Sequence, residues 1–233
     1  MRDLRDRLDR AWLTASRLTP DGGARCVMFM SAREGEGTSS LAASFAMMAA
    51  RKSQKATWLI DLDLRRNAMF AAFERGVFRD AGAPGRAFDA SLRTDPIYML
   101  SPPGLERGSE NADKKLLTVH EIKGTRLLVS RFRNEELRPG QRVQLRTQPA
   151  WWDTVRRAAD WVVVDAPALS RSPAGLAMAA QMDGVIIVLQ ADSTGAEEVM
   201  GLRREIETHG GRVIGVVINR IGADARFADR LAG

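Results

Sequence analysis

Apolar runs of strand length alternate along the chain with stretches of helical periodicity. Runs at 26–31, 57–61, 97–100, 126–130, 161–165, 184–190 and 212–218 read as strands. Several are nearly continuous in Val, Ile and Leu, as strands buried on both faces are. Helical patterns occupy roughly residues 2–17, 38–52, 149–159, 173–181 and 194–208. Alternation of this kind predicts a three-layer α/β fold with a mostly parallel, doubly wound sheet. The stretch from about 74 to 148 is the least regular. Gly82-Ala-Pro-Gly85, Ser101-Pro-Pro-Gly104 and Arg138-Pro-Gly140 punctuate it as turns, and the polar residues 106–115 read as a mobile loop. Residues 1–20 are expected to form a charged N-terminal helix and 21–233 a single domain.

Length supports that picture, since 233 residues suffice to bury a full α/β core. A formal charge of +6 makes nucleic acid, an anionic membrane face or an acidic protein suitable partners. No run of aromatics interleaved with Lys and Arg resembles a base-stacking platform, so nucleic acid is not favoured. Cys26, the sole cysteine, excludes a disulfide framework and points to a reducing compartment. No stretch approaches the ~18 consecutive apolar residues of a membrane span. The N-terminus reads as a charged helix rather than a secretory signal, so a cytoplasmic location is expected.

Three segments carry candidate chemistry. The first is Ser31-Ala-Arg-Glu-Gly-Glu-Gly-Thr-Ser-Ser40, set between an apolar strand and a helix. That setting lets backbone N–H groups wrap a phosphate chain at a helix N-terminus. An intact phosphate-binding loop has lysine after its second glycine. Here that position is Thr38. The second segment is Ile60-Asp-Leu-Asp-Leu-Arg65, whose Asp61 and Asp63 share one side of a strand end. The third is Trp161-Val-Val-Val-Asp165-Ala-Pro167, a buried strand ending in a carboxylate of the kind that orients Mg²⁺ and its waters.

In this order and spacing the three segments resemble the cytoplasmic domain of the bacterial tyrosine kinases of exopolysaccharide and capsule synthesis, within the MinD/ParA-like P-loop superfamily. The family loop reads Ser-x-x-Pro-Gly-Glu-Gly-Lys-Ser-Thr, its second motif Ile-Asp-x-Asp-x-Arg and its third Asp-x-Pro. Two later segments also fit, Asp183-Gly-Val-Ile-Ile-Val-Leu189 and Ile214-Gly-Val-Val-Ile-Asn219. The likeness covers about residues 24–72 and 150–220 and is loose between them. It implies ATP or ADP with Mg²⁺ as ligands, and a site of Gly35, Glu36, Gly37, Thr38, Ser39 and Ser40 with Asn219 near the base. It places Ser39, Asp61, Asp63 and Asp165 around the metal, with Asp63 the catalytic carboxylate of an active member. It also implies a homo-oligomer and a membrane-embedded polysaccharide chain-length (co-polymerase) partner, which would hold the chain at the inner face of the plasma membrane.

The departures from the family pattern shape the expectation. Thr38 removes the positive charge that would neutralise the β and γ phosphates, forfeiting a charge-assisted hydrogen bond of ~1.5–3 kcal/mol. Glu34 stands where the family has proline and adds a negative charge. The family's C-terminal tyrosine cluster has no counterpart, the sole tyrosine being Tyr98 in a strand-like run. The N-terminal helix of residues 1–20 resembles the family's oligomerisation helix, Glu-x-x-Arg-x-x-Arg, only through Arg7 and Arg10, which leaves open either an oligomerisation or partner contact or a solvated helix with Asp/Arg pairs. Two readings remain: a pseudokinase or weakly ATP-binding regulatory subunit, or an active ATPase or kinase in which Arg33 or a residue of another subunit replaces the lysine. His120, His209, Met47, Met48 and Met178 read as structural, and Ser170 and Ser172 lack partners for a hydrolase triad. Of Trp151 and Trp152, one is expected on the sheet, and the other on the sheet or at a partner. The arginines at 126, 131, 133, 138, 142 and 146 form a solvated basic face or a docking surface.

Overall fold

The computed structural model describes residues 1, 4, 5, 8–20, 23–78, 81–102, 115–191 and 194–219. Ten strands are described: β1 Arg25–Ser31, β2 Ala56–Asp61, β3 Pro84–Asp89, β4 Tyr98–Ser101, β5 Leu117–Ile122, β6 Leu127–Phe132, β7 Arg142–Leu145, β8 Ala159–Asp165, β9 Gly184–Gln190 and β10 Val213–Asn219. The described α-helices are α1 Asp9–Ser16, α2 Thr38–Lys52, α3 Ala68–Glu74, α4 Ala150–Ala158, α5 Ala174–Met178 and α6 Ala196–Thr208. Eight strands form one sheet in the order β10-β9-β1-β8-β2-β6-β5-β3. Pairing is parallel from β10 through β6 and antiparallel at β6-β5 and β5-β3.

Side-chain alternation along the central strands divides the core into two layers. On one face Cys26, Met28, Met30, Trp58, Ile60, Val162 and Val164 pack under α4, α5 and α6, which contribute Trp151, Trp152, Leu176, Leu202 and Ile206. On the other, Val27, Phe29, Leu59 and Val163 meet α1, α2 and α3 through Leu8, Ala15, Phe45, Met69 and Phe73. The expected three-layer α/β architecture is therefore present. Both indoles of the Trp pair are buried, and Trp151 Nε1 donates to Ala90 O at 2.7 Å, so neither serves as an exposed partner contact. Burial pushes the Cys26 thiol up to about 12, which keeps it protonated and inert.

Several expectations need correction. The stretch read as irregular holds three strands, β3, β5 and β7, besides the two expected there. A continuous apolar run marks a strand buried on both faces, whereas these are short, half-solvated or at the sheet edge. The run at 97–100 is strand but not part of the main sheet: β4 pairs antiparallel with β7 in a separate two-stranded sheet. Helix α3 was not anticipated, and the helix expected over 173–181 is α5 followed by a 3-10 turn, Ala179–Gln181. Helix α1 begins at Asp9 rather than near residue 2. Of the residues invoked earlier, Arg7, 103–114 and 220–233 lie outside the described ones.

Candidate nucleotide site

Strand register brings the chemistry-bearing segments together at the carboxyl ends of the central strands. Phe29 and Asp61 both stand opposite Asp165 on the flanking strands, so β1, β2 and β8 end side by side. Strand β1 then leads into the loop before α2, at the point where the sheet order diverges. Carboxyl ends of strands at such a divergence are where open α/β sheets bind ligands.

The loop is held by its glycines and by a buried carboxylate. Gly35 and Gly37 have φ of 87° and 95°, a region that L side chains rarely adopt. A Cβ on Gly37 would also lie 2.0 Å from Asn219 Nδ2. That amide donates to Glu36 O at 2.8 Å, tying β10 to the loop. The Glu36 side chain turns inward, accepting the N–H of Arg33 at 3.0 Å, the N–H of Gln190 at 3.3 Å and the hydroxyl of Thr194. Glu36 and Asn219 thus stand behind the loop and brace it. Helix α2 starts at Thr38 with no side-chain cap and no acidic residue in its first turn, so its positive dipole end faces the cleft uncompensated.

A cleft of about 290 Å³ opens in front of this helix end, lined by Gly35, Gly37, Thr38, Ser39, Ser40, Asp61, Asp63 and Asp165, among others. Eight of the ten residues expected at the site therefore meet there. Asp61 is buried and accepts the N–H groups of Asp63 (2.9 Å) and Met69 (3.2 Å). Burial nevertheless pushes its carboxyl up to about 6, against the lowering effect of those hydrogen bonds. Asp165 is raised well above 3.8, first by burial and then by the negative charge of Asp61, while a hydrogen bond from Ser39 opposes the shift. Two buried polar atoms at the cleft, Thr38 Oγ1 and Asp165 Oδ1, have no hydrogen-bond partner.

Those orphaned atoms, the uncapped helix end and the acidic strand ends fit a phosphate chain carrying a divalent cation. Among the described residues no group of three or more His, Cys, Asp and Glu side chains is arranged to hold a metal by itself. Mg²⁺ does not require one, because it keeps several waters and takes one or two carboxylates together with substrate phosphates.

Two cations at the cleft had no role assigned from sequence. Arg171 Nη2 lies 2.5 Å from Asp63 Oδ2 and its Nε 3.3 Å from Glu34 Oε1, while Arg66 Nη1 lies 3.9 Å from Glu34 Oε1. Arg171 stands between Ser170 and Ser172, six residues past the Asp165 strand end, and its only signal in the sequence is proximity to Asp-x-Pro. Arg33, by contrast, pairs with Glu198 of α6 at 2.7 Å and does not line the cleft. The sole tyrosine, Tyr98, is 2% exposed and its hydroxyl accepts the Leu116 N–H at 3.1 Å.

No family model and no curated protein matches the chain. Solved structures do. The VpsO kinase domain superposes with a TM-score of 0.59 at 18% identity over 94% of both chains. The kinase domain of the Escherichia coli tyrosine kinase ETK gives 0.51 at 16% identity, over 92% of this chain and 75% of that one. The septum site-determining protein MinD of Pyrococcus horikoshii, complexed with Mg-ADP, gives 0.56 at 15%, over 85% and 71%. These similarities show a MinD/ParA-like P-loop fold, shared with bacterial tyrosine kinase domains.

Proposed function

We propose that this chain is a tyrosine-kinase-like P-loop protein of exopolysaccharide or capsule biosynthesis that acts as a pseudokinase or weakly ATP-binding regulatory subunit. Its expected partner is a membrane-embedded chain-length protein of polysaccharide export, which would bring it to the inner face of the plasma membrane. Assembly with further copies of itself belongs to the same reading. The observation that carries the proposal is Thr38: at the position of the loop lysine stands a buried hydroxyl with no partner, in a cleft otherwise shaped for phosphates.

In this reading the backbone of 35–40 and the N-terminus of α2 cradle the phosphates, Ser39 and Asp165 hold Mg²⁺ with its waters, and Asp61 positions them. Asp63 would face the reacting phosphate in an active member. The bound metal would neutralise phosphate charge, and a lysine would normally add to that neutralisation. Tyr98, the sole tyrosine, is no accessible acceptor for autophosphorylation, since its hydroxyl is buried and engaged. The competing reading of an active enzyme that borrows Arg33 is less well supported, because Arg33 pairs with Glu198.

Calorimetric titration with Mg²⁺-ATP and Mg²⁺-ADP tests the proposal. The native chain is expected to bind with a Kd no tighter than about 0.1 mM and to turn over no ATP, and Thr38→Lys to tighten binding at least about tenfold. Micromolar affinity with steady hydrolysis by the native chain would sink the pseudokinase reading.

A further inference from the structure

The charges at the mouth of the cleft form a chain: Arg66 to Glu34, Glu34 to Arg171, Arg171 to Asp63. Arg171 is central to it and reaches both walls, since Glu34 belongs to the glycine loop and Asp63 follows β2. Its backbone is strapped to the start of that loop. The N–H of Leu169 donates to Ser31 O at 2.9 Å, that of Ser170 to Ala32 O at 3.0 Å, and that of Arg171 itself to Ala168 O at 2.9 Å. The base of the side chain is therefore held beside the loop, while the side chain as a whole is 27% exposed and lines the cleft.

A guanidinium keeps its charge throughout the accessible pH range and offers donors in a planar fork that matches phosphate oxygens. Its present partners are carboxylates, which present the same kind of acceptor. The contact to Glu34, whose side chain is 53% exposed, is of the solvent-screened kind that exchanges at little cost. We infer that Arg171 is the cation that contacts the terminal phosphates of a bound nucleoside di- or triphosphate, in place of the lysine that Thr38 displaces. Glu34 and Asp63 act as resident counter-anions that the phosphates must replace. This inference rests on the nucleotide-site reading above and adds two things: the residue that supplies the charge, and an intramolecular competitor, Glu34, that keeps affinity low.

The test is Mg²⁺-ADP titration of the full chain and its variants, each checked for a native melting transition. Glu34→Gln removes the competitor and is expected to tighten binding several-fold. Arg171→Ala is expected to weaken binding at least about tenfold, the loss of a charge-assisted hydrogen bond, with Arg171→Lys between the two. In a Thr38→Lys background the same Arg171→Ala change should cost much less, because the lysine then carries the phosphate charge. Native affinity in Arg171→Ala overturns the inference, as does a loss produced by Arg33→Ala instead. So does binding by Thr38→Lys when neither the native chain nor Glu34→Gln binds. Failure of every variant to bind, Thr38→Lys included, would bring down the nucleotide-site reading itself.

Discussion

Asp61 and Asp165 face each other across neighbouring strands, both buried, with a single serine hydroxyl between Asp165 and the loop. Burial makes the charged form of each costly, the Asp61 charge raises the cost at Asp165, and the Asp63 charge adds to it at both. The consequence for stability has a definite sign. A carboxyl raised above its unfolded value of 3.8 binds its proton more tightly in the folded chain, so stability falls as pH rises from 3.8 through the folded pKa. For Asp61 that window closes at about 6. Asp165→Asn removes one charge and leaves the shape. It is expected to melt with the native chain at about pH 3 and several degrees above it at about pH 8, without divalent cation. A constant offset across that range, or a lower melting temperature at alkaline pH, would contradict the electrostatic account of the pair.

At the scale of elements, α1 shows what an amphipathic pattern leaves open. The charged N-terminal helix suited either an interface or a solvated surface, and the structure shows which of its residues meet the sheet's helical layer. Leu8 and Ala15 are fully buried, Trp12 packs on Phe45 (5.6 Å between centroids) and Trp161 (5.0 Å), and Lys52 Nζ sits 4.7 Å from the Trp12 ring. Trp12→Ala is expected to destabilise the chain by about 2 kcal/mol in urea unfolding, less than a fully buried tryptophan because Trp12 is only half-buried. A loss under about 0.5 kcal/mol would mean that the helix docks without contributing to the core. The missed strands carry a related lesson. Strand β3 runs Pro-Gly-Arg-Ala-Phe-Asp with an exposed face, and β7 alternates Arg-Val-Gln-Leu over four residues. Half-solvated edges of this kind alternate too briefly to stand out from loop, whereas β1, β8 and β9 are apolar throughout because helices cover both faces.

The whole molecule is basic, with 35 Lys and Arg against 29 Asp and Glu, yet its cleft is not. Glu34, Asp61, Asp63 and Asp165 line it against Arg66 and Arg171. A polyphosphate entering alone would meet more carboxylates than cations, so a divalent ion has to accompany it. ADP is therefore expected to raise the melting temperature only when Mg²⁺ is present. At a ligand concentration of about 100 times Kd the stabilisation is roughly 2.7 kcal/mol, some 5–10 °C for a chain of this size. An equal shift in excess chelator would remove the metal from the account. Among the described residues no helix is long and apolar enough to cross a membrane.

Local chemistry determined a good deal of this protein from the residue order alone. Strand-length apolar runs, glycines before a helix and carboxylates at strand ends each reflect a constraint within a few residues, which is why the α/β layering and the segments of the cleft were legible. Partners distant in sequence were decided only when the sheet formed. Tertiary packing turned Glu36 inward onto Thr194 and Gln190, sent Arg33 to Glu198, and brought Arg171 across to Asp63. The direction of a long side chain depends on which polar or oppositely charged partner the fold delivers to it, and these partners lie 108 to 165 residues away along the chain.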